Sequence, residues 1–319
     1  MTSRERIKQT LNFQIPDRVG VYDCLWDQTE QNWKKQNLLP DGQPYQDFFS
    51  YDLRLFEFDQ SFLLMEKEAA VRTKKDWQDF KVLLTACQER IDSSFENSYK
   101  AARDSGRFLT LAFLDPFQHA ASIFGLQNLL TLVAEDPALL ADVFSTSADL
   151  TLNMYRLLGR RGFVFDGAWA WCDLAYKDGC YFSAKTYKAL LYPHHKRIFG
   201  YFNSKEIPVL FHCDGNCLEF VPLLLKAGIR SLNPLQTECG FTLESLKSEY
   251  GKDLVLFGNM PTDALAKDKK HIEDVFAKRL DAAKKDGGFI YHGDKPIPPT
   301  VSFENYIFAL EMVKKYGSY

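Results

Sequence analysis

Short apolar runs bounded by turn-forming residues recur along the chain, at roughly Val19–Tyr22, Leu53–Phe58, Phe108–Phe113, Phe163–Phe165, Pro208–Phe211, Ile229–Leu232, Leu254–Phe257 and Phe289–Tyr291. They have strand length, and continuous apolar character is the pattern of strands buried on both faces. Helical spacing fills most of the intervals. In Leu126–Leu158, Asp136-Pro137 restarts a helix after a first short one, with Asp136 as N-cap and Pro137 at the first helical position. Ser183–Ser204 starts in a similar way, and Leu218–Lys226 runs into Ala227-Gly228, a helix C-terminus. Strands alternating with helices predict a parallel sheet, because parallel neighbours need crossover connections. Eight such units in 319 residues predict a (β/α)8 TIM barrel of the α/β class, one domain over residues 1–319. An open doubly wound sheet is the rival, but no Gly-rich dinucleotide fingerprint follows an early strand. Residues 24–52, with Trp26, Trp33 and the Pro40-Asp41-Gly42 turn, and residues 59–107 exceed simple loops and are expected to form insertions over the barrel mouth.

Composition narrows the partners. With 46% apolar residues and a formal charge of −3, the chain can bury a large core, and its scattered Lys and Arg leave no electrostatic footprint for nucleic acid. The N-terminus alternates charge without an apolar core segment, and no run approaches the roughly 18 apolar residues of a membrane span. Seven cysteines, at 24, 87, 172, 180, 213, 217 and 239, are odd in number and widely spaced. They read as free thiols in a cytoplasmic chain.

In such a barrel the residues that follow the strands line one mouth. Here they are Asp23, Asp59, Asp115, Asp166, His212 with Asp214, Asn233, Asn259, and His292 with Asp294. A single Asp there is most simply a helix cap or turn residue, and Asp115-Pro116 and Asp17-Arg18 are read that way. Recurrence at most strand ends points to a site. In His212-Cys213-Asp214-Gly215, two-residue alternation puts His212 and Asp214 on one face and Cys213 on the other. That pair can hold a metal such as zinc, move a proton or bind substrate, with a structural histidine as the plain alternative. A third ligand would come from Cys239, His292 or Asp294. Beyond the fourth run, Trp169, Trp171, Asp173, Tyr176 and Lys177 suit a pocket for a planar or apolar ligand, with Trp169 and Tyr176 as binding surfaces and Asp173 as acid or base. A packed rim loop would give the same composition. Asp23, Trp26, Asn233, Asn259 and His292 are expected to contact substrate, and Lys295 to pair with a substrate carboxylate. His194-His195 reads as surface or helix packing, and Cys217 as packing.

Four segments carry a resemblance: His212-Cys-Asp-Gly-Asn216, Leu232-Asn-Pro-Leu-Gln236, Leu256-Phe-Gly-Asn-Met260, and the stretch from Gly287 through His292-Gly-Asp-Lys295 to Tyr306. Together with Pro16-Asp17-Arg18 and Asp173–Tyr192 they resemble the uroporphyrinogen decarboxylase superfamily over nearly the whole chain. The resemblance implies a (β/α)8 barrel and one of two activities. One is decarboxylation of uroporphyrinogen without a cofactor; the other is zinc-dependent methyl transfer from a corrinoid protein to a thiol or another carrier. The decarboxylases carry an Arg-Gln-Ala-Gly-Arg motif, whereas the corresponding Val21-Tyr-Asp-Cys-Leu-Trp-Asp-Gln28 has no arginine. An octa-acid would also meet like charge at Asp23, Asp115, Asp173 and Asp214. The methyltransferases show His-x-Cys and a later Cys as zinc ligands; here these positions are His212-x-Asp214 and about Asp294-Lys295. A metal held by His212 and Asp214 would see a harder, oxygen-richer set. The expectation is a methyltransferase or demethylase that takes a small methylated substrate or a corrinoid partner, with catalytic Asp173, His212 and Asp214. Uroporphyrinogen decarboxylation and non-catalytic binding of a small molecule or corrinoid are the alternatives.

Overall fold

Helix and strand alternate throughout the structure, a computed structural model that describes residues 1–60, 71 and 73–319. Its eight main strands are β1 (Gly20–Val21), β2 (Leu53–Glu57), β3 (Phe108–Leu114), β4 (Gly167–Trp171), β5 (Val209–His212), β6 (Ile229–Asn233), β7 (Val255–Phe257) and β8 (Phe289–Tyr291). The fold is a (β/α)8 barrel of the α/β class. β3 is buried along nearly all its length, which is why Phe-Leu-Thr-Leu-Ala-Phe-Leu carries no alternation.

The described residues group into two compact units. One comprises residues 1–54, 101–108 and 230–319, the other 55–100 and 109–229. In the first unit β1, β8, β7 and β6 pair in parallel, with Val21 opposite Tyr291, Ile290 opposite Phe257, and Leu232 opposite Leu256. Its N-terminal helix, Ser3–Leu11, begins in a capping box between Thr2 and Glu5. That helix delivers Arg6 to Asp52, a carboxylate fully buried between the Arg6 and Arg18 guanidiniums at 2.8 Å each. Ser3 Oγ and the Val21 amide add hydrogen bonds to Asp52 at 2.7 Å. Pro16-Asp17-Arg18 thus fixes the entry into β1, with Asp17 taking the other side of Arg6.

In the second unit β3, β4 and β5 pair in parallel, and Trp171 lies opposite His212. The fourth strand is displaced from the expected Phe163–Phe165. Those phenylalanines instead pack against Phe95, Tyr99 and Phe56, with ring centroids 4.9–6.3 Å apart. The strand itself is Gly-Ala-Trp-Ala-Trp, whose small residues give no β-branched signal. Asp166 therefore precedes β4 rather than following it, and both its amide and its carboxylate bond to the backbone of Leu109. Trp169 and Trp171 lie on the strand and not in a loop beyond it.

Helix Pro137–Arg160 starts at the Asp136 cap as expected, after Leu126–Glu135. The expected Ser183–Ser204 helix is split at Leu191 into Ala184–Leu190 and Tyr192–Asn203, because Pro193 opens the second segment. Val221–Ala227 ends on left-handed Gly228. The long connections hold helices Asp27–Lys35, Lys74–Lys81 and Phe95–Asp104; part of the expected 59–107 insertion, residues 61–70 and 72, lies outside the described residues. Among the described residues no helix is long and apolar enough to cross a membrane.

Candidate functional site

Parallel pairing of β4 with β5 brings their C-terminal ends together, and the Cys172 amide continues the ladder to the His212 carbonyl at 3.0 Å. Asp173 follows Trp171 by two residues and Asp214 follows His212 by two, so both carboxylates come to the His212 ring. Nε2 of His212 lies 3.6 Å from Asp173 Oδ1 and 3.7 Å from Asp214 Oδ1. The imidazole side chain is 13% exposed and the carboxylates 40% and 43%, so the group is anchored below and open above. The Asp214 amide donates to Asp173 Oδ1 at 3.1 Å, and the Asp173 amide donates to Gln118 Oε1 at 3.1 Å. Cys213 points the other way, buried, its sulfur accepting the Leu174 amide at 3.3 Å. The third partner of the His212 and Asp214 pair is thus Asp173. Cys239, His292 and Asp294 belong to the other unit.

The three ligand atoms lie within 4.8 Å of one another. Two ligands about 2.1 Å from one tetrahedral ion stand roughly 3.4 Å apart, so these separations fit a zinc-sized cation with small adjustments. The donors are one imidazole and two carboxylates, a harder set than one containing thiolates. Around them, Trp171 packs edge-on against His212 with centroids 4.6 Å apart, and Trp169, fully buried, lies 6.3 Å away. Trp171 Nε1 donates to Glu57 Oε1 at 3.1 Å. Tyr176, half exposed, stacks on Tyr181.

Cys172, between Trp171 and Asp173 and so on the other face of the same strand end, belongs to a second group that the sequence reading missed. Asp115 caps its helix as expected, accepting the Gln118 amide on Oδ1 at 2.8 Å, but Oδ2 meets Nε2 of His195, whose Nδ1 pairs with Tyr187 Oη at 2.8 Å. Of the two readings of His195, surface or helix packing, the second fits: it is fully buried on helix Tyr192–Asn203. Cys172 completes the cluster, its thiol pushed well above its ordinary range by burial and then by Asp115. All three side chains are sealed from solvent. Gln118 links the two groups through its amide to Asp115 and its side chain to Asp173. Asp115 at its strand end and the double histidine after Pro193 were separate sequence signals that only the fold joins.

The remaining expected residues lie in the first unit. Asn233 and Asn259 are buried; the Asn233 amide bonds to the Phe257 carbonyl, and that of Asn259 to the Leu235 and Phe241 carbonyls. Lys295 pairs with Asp263 at 3.0 Å, Asp294 accepts the Thr262 amide at 2.9 Å, and Trp26 is half exposed at a helix start. Asp23 is fully buried, 4.0 Å from His292, and accepts hydrogen bonds from the Cys24 and Gly293 amides and Tyr306. Desolvation pushes its carboxyl up from 3.8 to about 7 despite those bonds. The native state therefore holds this proton more tightly than the unfolded chain, and raising the pH from about 4 to about 7 costs stability. His119 and His194, pushed down to about 4 by burial, run the opposite way in the same window. The readout is thus a difference: urea midpoints of Asp23→Asn minus wild type should rise steadily between pH 4 and 7, and a flat difference would contradict the shift.

No curated protein matches the sequence significantly. Among solved structures, a methyltransferase from Methanosarcina mazei is similar over 99% of both chains, with a TM-score of 0.71 and 13% identity, and shares the fold. A Bacillus subtilis mannanase is similar over 94% of this chain and 87% of its own, with a TM-score of 0.46 and 10% identity. The sequence model of the uroporphyrinogen decarboxylase (URO-D) family matches residues 68–316. Over three quarters of its length, and with the fold that the strand order requires, the chain belongs to the uroporphyrinogen decarboxylase family.

Proposed function

We propose that this family member is a methyl-group transferase or demethylase, acting on a small methylated substrate or a corrinoid-bound methyl group, with His212, Asp173 and Asp214 holding a divalent cation. The observation that carries the reading is the convergence of one imidazole and two carboxylates at the ends of β4 and β5. A cation bound there would supply Lewis-acid activation of the methyl acceptor or leaving group. The chain's own residues supply the positioning. Trp171 holds the His212 ring edge-on, and the Asp214 amide ties the two carboxylates together. Asp173, whose amide is fixed by Gln118, can place its second oxygen for proton transfer to a substrate in hydrogen-bond reach. The arginine-free Val21–Gln28 segment argues against the alternative, decarboxylation of a poly-acid.

Metal analysis tests this directly. After incubation with zinc and removal of free metal, wild type should retain about one equivalent, and His212→Ala and Asp173→Asn should each retain less than about a tenth of that. Equal retention by wild type and His212→Ala would refute the assignment.

A further inference from the structure

Trp171 also borders a cavity of about 520 Å³ in the second unit, at the ends of β2, β3 and β4, whose lining does not include His212. Its floor is the apolar end of β3. Its rim is not apolar: Glu57, Asp59, Glu89 and Asp92 all line it and all are exposed. One cation, Arg90, lies among them, and its guanidinium is turned into the protein, with Nε, Nη1 and Nη2 donating to the carbonyls of Thr85, Asp59 and Leu83 at 2.6–2.7 Å. Four carboxylates thus face a single buried guanidinium committed to backbone. Asp92 accepts the Ser94 amide at 2.7 Å, which holds its carboxylate in place at the rim.

The aromatic wall is the second feature. Trp171 lines the cavity, donates its Nε1 to Glu57, and packs against the His212 ring. A carboxylate on the indole N–H leaves the ring face more electron-rich, the arrangement that favours a cation over the ring. An apolar floor, an indole wall and a negative rim exclude carboxylates and phosphates and fit a soft cation with methyl groups on its surface.

We infer that this cavity binds a small alkylammonium ion, a methylated amine of the quaternary or tertiary class, with Trp171 as its aromatic face and Glu57 and Asp92 as counter-charges. The inference rests on the reading of this strand end as the substrate site and gives that substrate a charge. Trp171 is common to both places: it borders this cavity and packs against the His212 ring.

Calorimetric titration of the full chain, without added metal, tests it. Choline and tetramethylammonium should bind, and 3,3-dimethylbutan-1-ol, the uncharged isostere of choline, should bind about tenfold more weakly. Glu57→Gln and Asp92→Asn change exposed side chains and should each weaken choline severalfold without moving the urea midpoint; Trp171→Leu should abolish binding and Trp171→Phe should keep part of it. Equal affinity for choline and its isostere, no binding of either cation to wild type, or charge variants that bind like wild type would overturn the inference. His212→Ala should still bind choline. Metal loss in that variant alongside cation binding in wild type supports both readings, whereas metal retention in it with cation binding intact removes only the metal assignment.

Discussion

Asp52→Ala should lower the free energy of unfolding by about 3–5 kcal/mol, the range found when one partner of a buried ion pair is removed. Asp52 is fully buried and receives Arg6, Arg18, Ser3 and the Val21 amide at once. Removing the carboxylate leaves Arg6, whose side chain is only 7% exposed, facing a void, with Asp17 and the Met1 carbonyl as its remaining partners. Arg18, at 26% exposed, can turn toward water and recover part of its solvation. The cost should therefore fall mainly on Arg6 and on the hydrogen bond that fixes β1. Asp52→Asn keeps the volume but sets an amide N–H₂ against a guanidinium, so it should cost nearly as much. Urea unfolding of both variants measures this. A loss below about 1 kcal/mol would place the cluster among screened surface pairs.

Gly215→Ala should do the reverse, leaving most of the stability and removing the site. Gly215 has φ +83°, and a Cβ there would lie 2.6 Å from the carbonyl carbon of Ala175 and 2.7 Å from its oxygen. Left-handed strain for alanine is about 1–2 kcal/mol, but backbone cannot give way as a side-chain tip can. The 213–217 turn must move, taking Asp214 and its amide bond to Asp173 with it. Zinc affinity should fall at least about tenfold while the unfolding free energy drops by only about 1–3 kcal/mol. Unchanged affinity in a metal titration would show that Asp214 is not needed as a ligand.

How much of this was legible in the sequence depended on the range over which each feature is specified. The strands buried on both faces announced themselves, because Phe108–Leu114 and Val209–His212 are apolar at every position but Thr110 and His212. β4 did not: its alternate glycine and alanines lower the local hydrophobicity, while Phe163 and Phe165, apolar for another reason, drew the reading upstream. His212 and Asp214 were readable as a pair because alternation is a local rule. Asp173 was read as an acid or base of the same site, but its contact with the His212 ring was not, since that approach depends on the register that sets Trp171 opposite His212 across two strands. Asp115 illustrates the complementary failure. Its capping role is local and was read correctly, but the second oxygen answers to His195, eighty residues away, and only the fold brings the two together.

β4 has one further consequence. Asp166 precedes the strand and is spent on the backbone of Leu109, while Asp173 follows it and faces the open end. The same residue type is thus used twice within one short span, once to close the architecture and once to leave it reactive. Selection can therefore rewrite the chemistry at one end of the strand while purifying the other, so that new specificities on this scaffold need not be acquired at the expense of its folding.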